Sequence, residues 1–229
     1  ASVRDAVSIL IGGNLGEVGF MVASGLVSRT PALNARQLLL VNLFTDVAPA
    51  MAIAVRPPPE VTPEILLHEG PEASLGHALN RDILWRAVIT GSAGFGAWLF
   101  ARTFFMKNAS STVGLLSTVG AQLGQTLIAG KPSPAVLAAS FGSAAGLLAI
   151  TQTPGVSRLF GCRPLGPRGL LTAAGATGIA TAASLIAPLV AKQIEEYLEA
   201  RQGLEPEIPE QEEADFEEVN SSLEISRPL

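Results

Sequence analysis

The chain has 229 residues, 48% of them apolar and 15% charged, and a formal net charge of −5. So little charge, with the apolar residues gathered into runs, argues against a nucleic-acid binder, which needs a concentrated basic surface. A single cysteine, Cys162, excludes an intrachain disulfide framework and a multi-cysteine metal cage.

Six apolar runs follow one another along residues 1–192: 6–28, 37–55, 83–101, 109–130, 134–151 and 169–191. Each is long enough to cross a bilayer as a helix, which takes about 20 residues. Lipid offers no partners to backbone N–H and C=O groups, and the runs lack the short alternating pattern of barrel strands, so helices are expected. The fold class is therefore all-α, a polytopic bundle of six transmembrane helices. Small residues recur at i,i+4 in Gly12 and Gly16, Gly120 and Gly124, and Gly142 and Gly146, a spacing that lets membrane helices approach closely. The first run carries a carboxylate at its centre and has no basic leader, unlike a signal peptide.

Charge divides the chain a second way. Residues 1–192 hold 13 Lys+Arg against 8 Asp+Glu, and residues 193–229 hold 2 against 12, so a segment of +5 precedes one of −10. The second segment, with Pro206 and Pro209, reads as a disordered acidic tail. An even number of spans puts both termini on one side. That side would carry Arg4, Arg56, Arg81, Arg86, Lys131, Lys192, Arg201 and Arg227, and the other Arg29, Arg36, Arg102, Lys107, Arg158, Arg163 and Arg168. The positive-inside rule finds no asymmetry to act on. Trp85 and Trp98, near opposite ends of the third run, are expected as interfacial anchors. His68 and His77 lie nine residues apart in a polar stretch, not at the i,i+4 spacing of a zinc helix.

Only two acids fall inside the runs, Glu17 and Asp46, each near the middle of its run. An ionised carboxylate at that depth is costly unless it faces protein, water or a cation. Asn14 shares a helix face with Glu17, and Asn42 and Thr45 share one with Asp46. If those faces meet, two carboxylates, two amides and a hydroxyl form an oxygen-rich cage for a hard cation, or for protons in its place. Pro49 has no N–H for the carbonyl of Thr45, so the helix should open there and present a backbone oxygen.

The segments Asn14-Leu-Gly-Glu17, Pro31-Ala-Leu-Asn-Ala-Arg-Gln37 and Asn42-Leu-Phe-Thr45-Asp46-Val-Ala-Pro49-Ala, followed by Pro57-Pro58, resemble the fifth and sixth transmembrane helices of P-type cation-transporting ATPases of the calcium-pump type. The later runs are similar to that family's last four helices in number and order. The resemblance implies that Asn14, Glu17, Asn42, Thr45 and Asp46 bind the cation and that Pro49 marks an unwound segment. It also implies that both termini are cytoplasmic. Where the calcium type has a carboxylate in its eighth helix, Thr118, Gln122 and Gln125 stand here as weaker candidates, and the ion is left open, with a divalent cation favoured.

The Asp-Lys-Thr-Gly, Thr-Gly-Glu and Gly-Asp-Gly-x-Asn-Asp motifs do not occur in these residues. The chain alone is thus expected to hold part of an ion site without hydrolysing ATP. Mg-ATP would be handled by further domains, and the partners implied are those domains, four more helices and the lipid of the plasma membrane. The first residue is Ala1, which suggests a piece of a longer protein. A stand-alone cation or proton transporter or channel, and a non-transporting scaffold, are the alternatives.

Overall fold

The computed structural model describes residues 2–47, 52, 77–105, 107–129 and 133–202. The chain divides into two units, Ala1–Ala187 and Pro188–Leu229, and the candidate site lies in the first. Seven helices occur among the described residues: α1 Ser2–Ser28, α2 Ala35–Asn42, α3 His77–Phe104, α4 Ser110–Ala129, α5 Pro134–Gln152, the single turn α6 Val156–Leu159, and α7 Pro167–Gln202. The end of α2 continues as a π-helical segment, Leu43–Val47.

Among the described residues, four helices are long and apolar enough to cross a membrane: Ala6–Ser28, Leu79–Phe104, Pro134–Gln152 and Pro167–Val190. The fourth run is a helix of 20 residues, α4, whose hydropathy is lowered by Ser, Thr and Gln side chains. Those side chains are buried between other helices, so they meet protein and not lipid. Most of the second run beyond Val47 lies outside the described residues, as do Pro49, His68 and the tail from Gly203 onward. The acidic stretch begins as helix, because α7 runs through Gln193–Gln202, which are good helix formers up to the glycine that follows.

The bundle is held by close backbone approach. α1 and α3 form the most extensive pair. A Cβ on Gly12 would stand 2.7 Å from the Cβ of Arg86, and one on Gly16 would stand 2.7 Å from the Cβ of Thr90. Gly120 and Gly124 face Thr177 and Thr181 of α7 in the same way. The third pair does so only in part: Gly146 packs on Phe44, while Gly142 meets nothing within 4 Å. Phe20 fits its ring between Gly94 and Gly114 and meets Trp98 edge-on at 6.4 Å.

Trp98 departs from the sequence expectation. It is 1% exposed and lies in the core, with the Arg102 guanidinium 5.3 Å above its ring. The exposed aromatics at that end are Phe100, Phe104 and Phe105, which stack on one another. Depth along a helix is readable from sequence, but rotation about its axis is not, and rotation decided between core and surface for Trp98.

The connections at this end are tied together by side chains. Asn34 caps α2 by accepting from the Gln37 N–H, and Gln37 Oε1 accepts in return from the Asn34 N–H, a reciprocal capping box. The same two residues reach 126 and 124 positions onward in the chain: Asn34 Nδ2 donates to the Phe160 carbonyl and Gln37 Nε2 to the Gly161 carbonyl. Gly161 has a φ of +70°, a left-handed conformation that glycine tolerates without strain, and Asn34 packs where a side chain would otherwise stand.

Gln37 also donates to the Cys162 sulfur. Burial pushes the Cys162 thiol up from its ordinary value, outweighing the hydrogen bonds from Gln37 and Thr112. The thiolate is the reactive form, so maleimide should label Cys162 at pH 7.5 roughly tenfold or more slowly than a free cysteine. Labelling in the folded chain at the free-cysteine rate would contradict this environment.

Candidate cation site

Glu17 lies mid-way along α1 and is 5% exposed. Its carboxylate accepts a hydrogen bond from Gln122 Nε2 of α4 at 2.7 Å. Gly13, one turn before Glu17, leaves the space for this contact, since a Cβ there would stand 2.9 Å from Gln122 Oε1. Asp46 is half-buried and approaches closely enough for its charge to act on Glu17. The two acids thus lie on neighbouring helical segments within range of each other's charge.

Asp46 is held from two sides. The Thr45 hydroxyl lies 2.9 Å from the Val41 carbonyl and 3.1 Å from Asp46 Oδ1, sharing its proton between them. Asn14 of α1 donates to the same carboxylate. The backbone beneath Thr45 and Asp46 is the π-helical segment Leu43–Val47. Single π turns widen the helix locally and occur often at functional sites. Pro49, on which the opening expected at Thr45 depends, lies outside the described residues.

The other candidates separate. Asn42 is exposed at the end of α2, and Asn14 is exposed although it bonds Asp46. Of the α4 residues, Gln122 reaches a site carboxylate. Thr118 donates back to the Gly114 carbonyl at 2.9 Å, and Gln125 donates to the Arg86 carbonyl of α3 at 3.3 Å. Those two side chains serve helix packing in this arrangement. Thr90 of α3, not singled out from sequence, is fully buried against Gly16, and its hydroxyl has no hydrogen-bond partner among the described residues. No three of His, Cys, Asp and Glu gather anywhere among the described residues. A cation between Glu17 and Asp46 would therefore need amide, hydroxyl or backbone oxygens beside the two carboxylates.

A helical membrane bundle with two carboxylates within range of each other's charge, one of them on a π segment, is the kind of site that ion-translocating proteins build. The family of cation-transporting ATPase C-terminal regions matches residues 30–190, and the chain belongs to that family. It is an integral membrane protein segment of the cation-pump class. It is 42% identical over 208 residues to the "Probable cation-transporting ATPase I" of Mycobacterium leprae (strain TN), a match covering 82% of this chain and 13% of that protein. The protein of the same name in Mycobacterium tuberculosis (strain CDC 1551 / Oshkosh) is 42% identical over 209 residues, with the same shares of 82% and 13%. The chain thus spans about one eighth of the length of these relatives.

Proposed function

We propose that this chain carries the C-terminal half of the ion pathway of an ATP-driven cation pump. Asn14, Glu17, Asn42, Thr45 and Asp46 supply part of the intramembrane site, and Gln122 positions Glu17. The observation that carries this reading is that Glu17 and Asp46, two carboxylates on separate helical segments of a membrane bundle, lie within range of each other's charge. Such a pair calls for a compensating cation or proton. The exposure of Asn14 and Asn42 supports a further contribution from outside the chain, and four more helices of the same pump would supply it. Mg-ATP hydrolysis and phosphorylation would belong to domains elsewhere in the whole protein, working against residues 56–82. The membrane is the plasma membrane and both termini face the cytoplasm in this reading.

The cargo is a divalent cation. Two carboxylates balance one divalent charge, and neutral amide and hydroxyl oxygens complete the set that a hard ion prefers. Equilibrium binding to the purified chain in neutral detergent tests this with Ca²⁺, Mn²⁺, Mg²⁺, Na⁺ and K⁺. The expected result is saturable binding of a divalent ion that excess Na⁺ or K⁺ does not displace. Displacement by a monovalent ion would overturn the divalent assignment, and the absence of saturable binding of any cation would overturn the site. Gln122→Glu adds a third carboxylate 2.7 Å from Glu17. It should tighten divalent binding and lower the thermal midpoint of the ion-free chain, because the added charge is buried beside a like one.

A further inference from the structure

The end of the bundle that carries Arg102 and the capping box of α2 holds a second concentration of charge, opposite in sign to the two acids. The connecting segments 29–36, 102–109 and 153–168 contain Arg29, Arg36, Arg102, Lys107, Arg158, Arg163 and Arg168, and not one Asp or Glu. The structure draws the first and the third of these segments together. Arg36 Nη1 donates to the Leu159 carbonyl at 2.7 Å, Asn34 Nδ2 to that of Phe160 and Gln37 Nε2 to that of Gly161. The Arg163 N–H donates to the Thr112 hydroxyl at 2.9 Å, and the Leu165 N–H to Gln152 Oε1.

Two consequences follow. The segment from α6 to α7 is fixed by partners on α2, α4 and α5, so it presents a set shape. The carbonyl oxygens of residues 159–161, whose negative ends would oppose an anion, are already paired with donors. Arg36 and Arg102 are engaged, one on a carbonyl and one on the Trp98 ring. Arg158 and Arg163 instead line an open cavity of about 680 Å³, together with Gly161, Cys162 and Pro164. That volume lies within the range of small-molecule sites, roughly 300–1,000 Å³, and is more than a lone phosphate would fill.

The surroundings are those of the membrane interface. The residues that line the cavity all belong to the segment joining two spans, Pro134–Gln152 and Pro167–Val190. Beside Arg158 on the single turn α6, Val156 and Leu159 expose their side chains, Leu159 to 64%. Exposed apolar side chains next to cations, at the depth where a span ends, match a ligand with a charged head and an apolar body. We propose that this cavity binds the phosphate-bearing headgroup of an anionic membrane lipid. Arg158 and Arg163 would clamp the phosphate through their guanidinium forks, with Val156 and Leu159 against the first part of the acyl chains.

The test uses the whole 229-residue chain in neutral detergent, titrated with phosphatidylglycerol, with phosphatidylcholine, and with inorganic phosphate, and read by native mass spectrometry. The chain should retain phosphatidylglycerol in preference to phosphatidylcholine. Arg158→Ala with Arg163→Ala should weaken that binding about 30-fold, the effect of losing two cations near the surface. Arg158→Lys with Arg163→Lys should keep part of it, and Arg168→Ala, outside the cavity, should change it little. A thermal midpoint within error of wild type confirms that the double variant is folded, and the lysine pair serves if it is not. Unchanged preference in both paired variants would overturn the proposal. Inorganic phosphate that binds as tightly as the lipid, or displaces it at equal concentration, would assign the cavity to a free anion and overturn the lipid as ligand.

Discussion

Glu17→Gln and Asp46→Asn are each expected to remove most of the protection that a divalent cation gives this chain against thermal unfolding. An ion at 100 times its dissociation constant stabilises the folded state by about 2.7 kcal/mol. Loss of one of two carboxylate ligands should weaken binding roughly 100-fold, leaving about 0.4 kcal/mol of protection at the same concentration. Both substitutions spare the observed packing. A glutamine at position 17 keeps an oxygen to accept from Gln122 Nε2, and an asparagine at 46 keeps one to accept from the Thr45 hydroxyl. The ion-free variants should therefore unfold at or above the wild-type midpoint, because removing a charge also removes the repulsion between the two acids. Scanning calorimetry or dye-based melting, with and without the ion, reads both quantities. Full protection in both variants would show that the two carboxylates do not form the site.

Gly16→Ala is expected to destabilise the chain by about 1–3 kcal/mol, the usual cost of overpacking a well-filled contact. The new Cβ would lie 2.7 Å from the Thr90 Cβ and 2.8 Å from the Ala87 carbonyl oxygen. Neither obstacle can swing aside, since one is a β-branched carbon and the other is backbone. Gly91 makes the reciprocal contact, its absent Cβ falling 3.0 Å from the Gly16 carbonyl oxygen. Gly19 is the matched control, on the same helix with nothing within 4 Å of the corresponding position. Gly19→Ala should leave stability unchanged or slightly raised. Chemical or detergent-induced unfolding monitored by circular dichroism compares the pair. Equal losses at the two positions would mean that helix propensity, and not the contact of α1 with α3, sets the cost.

Much of the site was legible because its signals are one-dimensional. A carboxylate in the middle of an apolar run is conspicuous in any membrane sequence, and Glu17 and Asp46 both stood out that way. Asn14 followed from the i,i+3 relation to Glu17, and its bond to Asp46 carries the expectation further than spacing could. Gln122 was one of three candidates named on its run, with Thr118 and Gln125, and its choice depended on which side of α4 faces α1. Gly13 gave a faint signal, as one of two adjacent glycines, but its use in admitting Gln122 needed a neighbour 109 positions away in the chain. The role of Thr90 as a buried wall beside Gly16 had no sequence signal, since one threonine in a span is unremarkable.

What the sequence determined by itself was the set of helical runs, the depth of the two acids and the family to which the chain belongs. These depend on length, on the need to satisfy backbone polar groups in lipid, and on a local motif, none of which requires a third dimension. What only the tertiary structure decided was rotation and pairing: Trp98 inward, Gln122 toward Glu17, the π segment beneath Asp46, and Arg158 and Arg163 around one cavity. The physical reason is that spans apolar on nearly every side carry little phase information, so their rotation is set by which small residues let which neighbours approach.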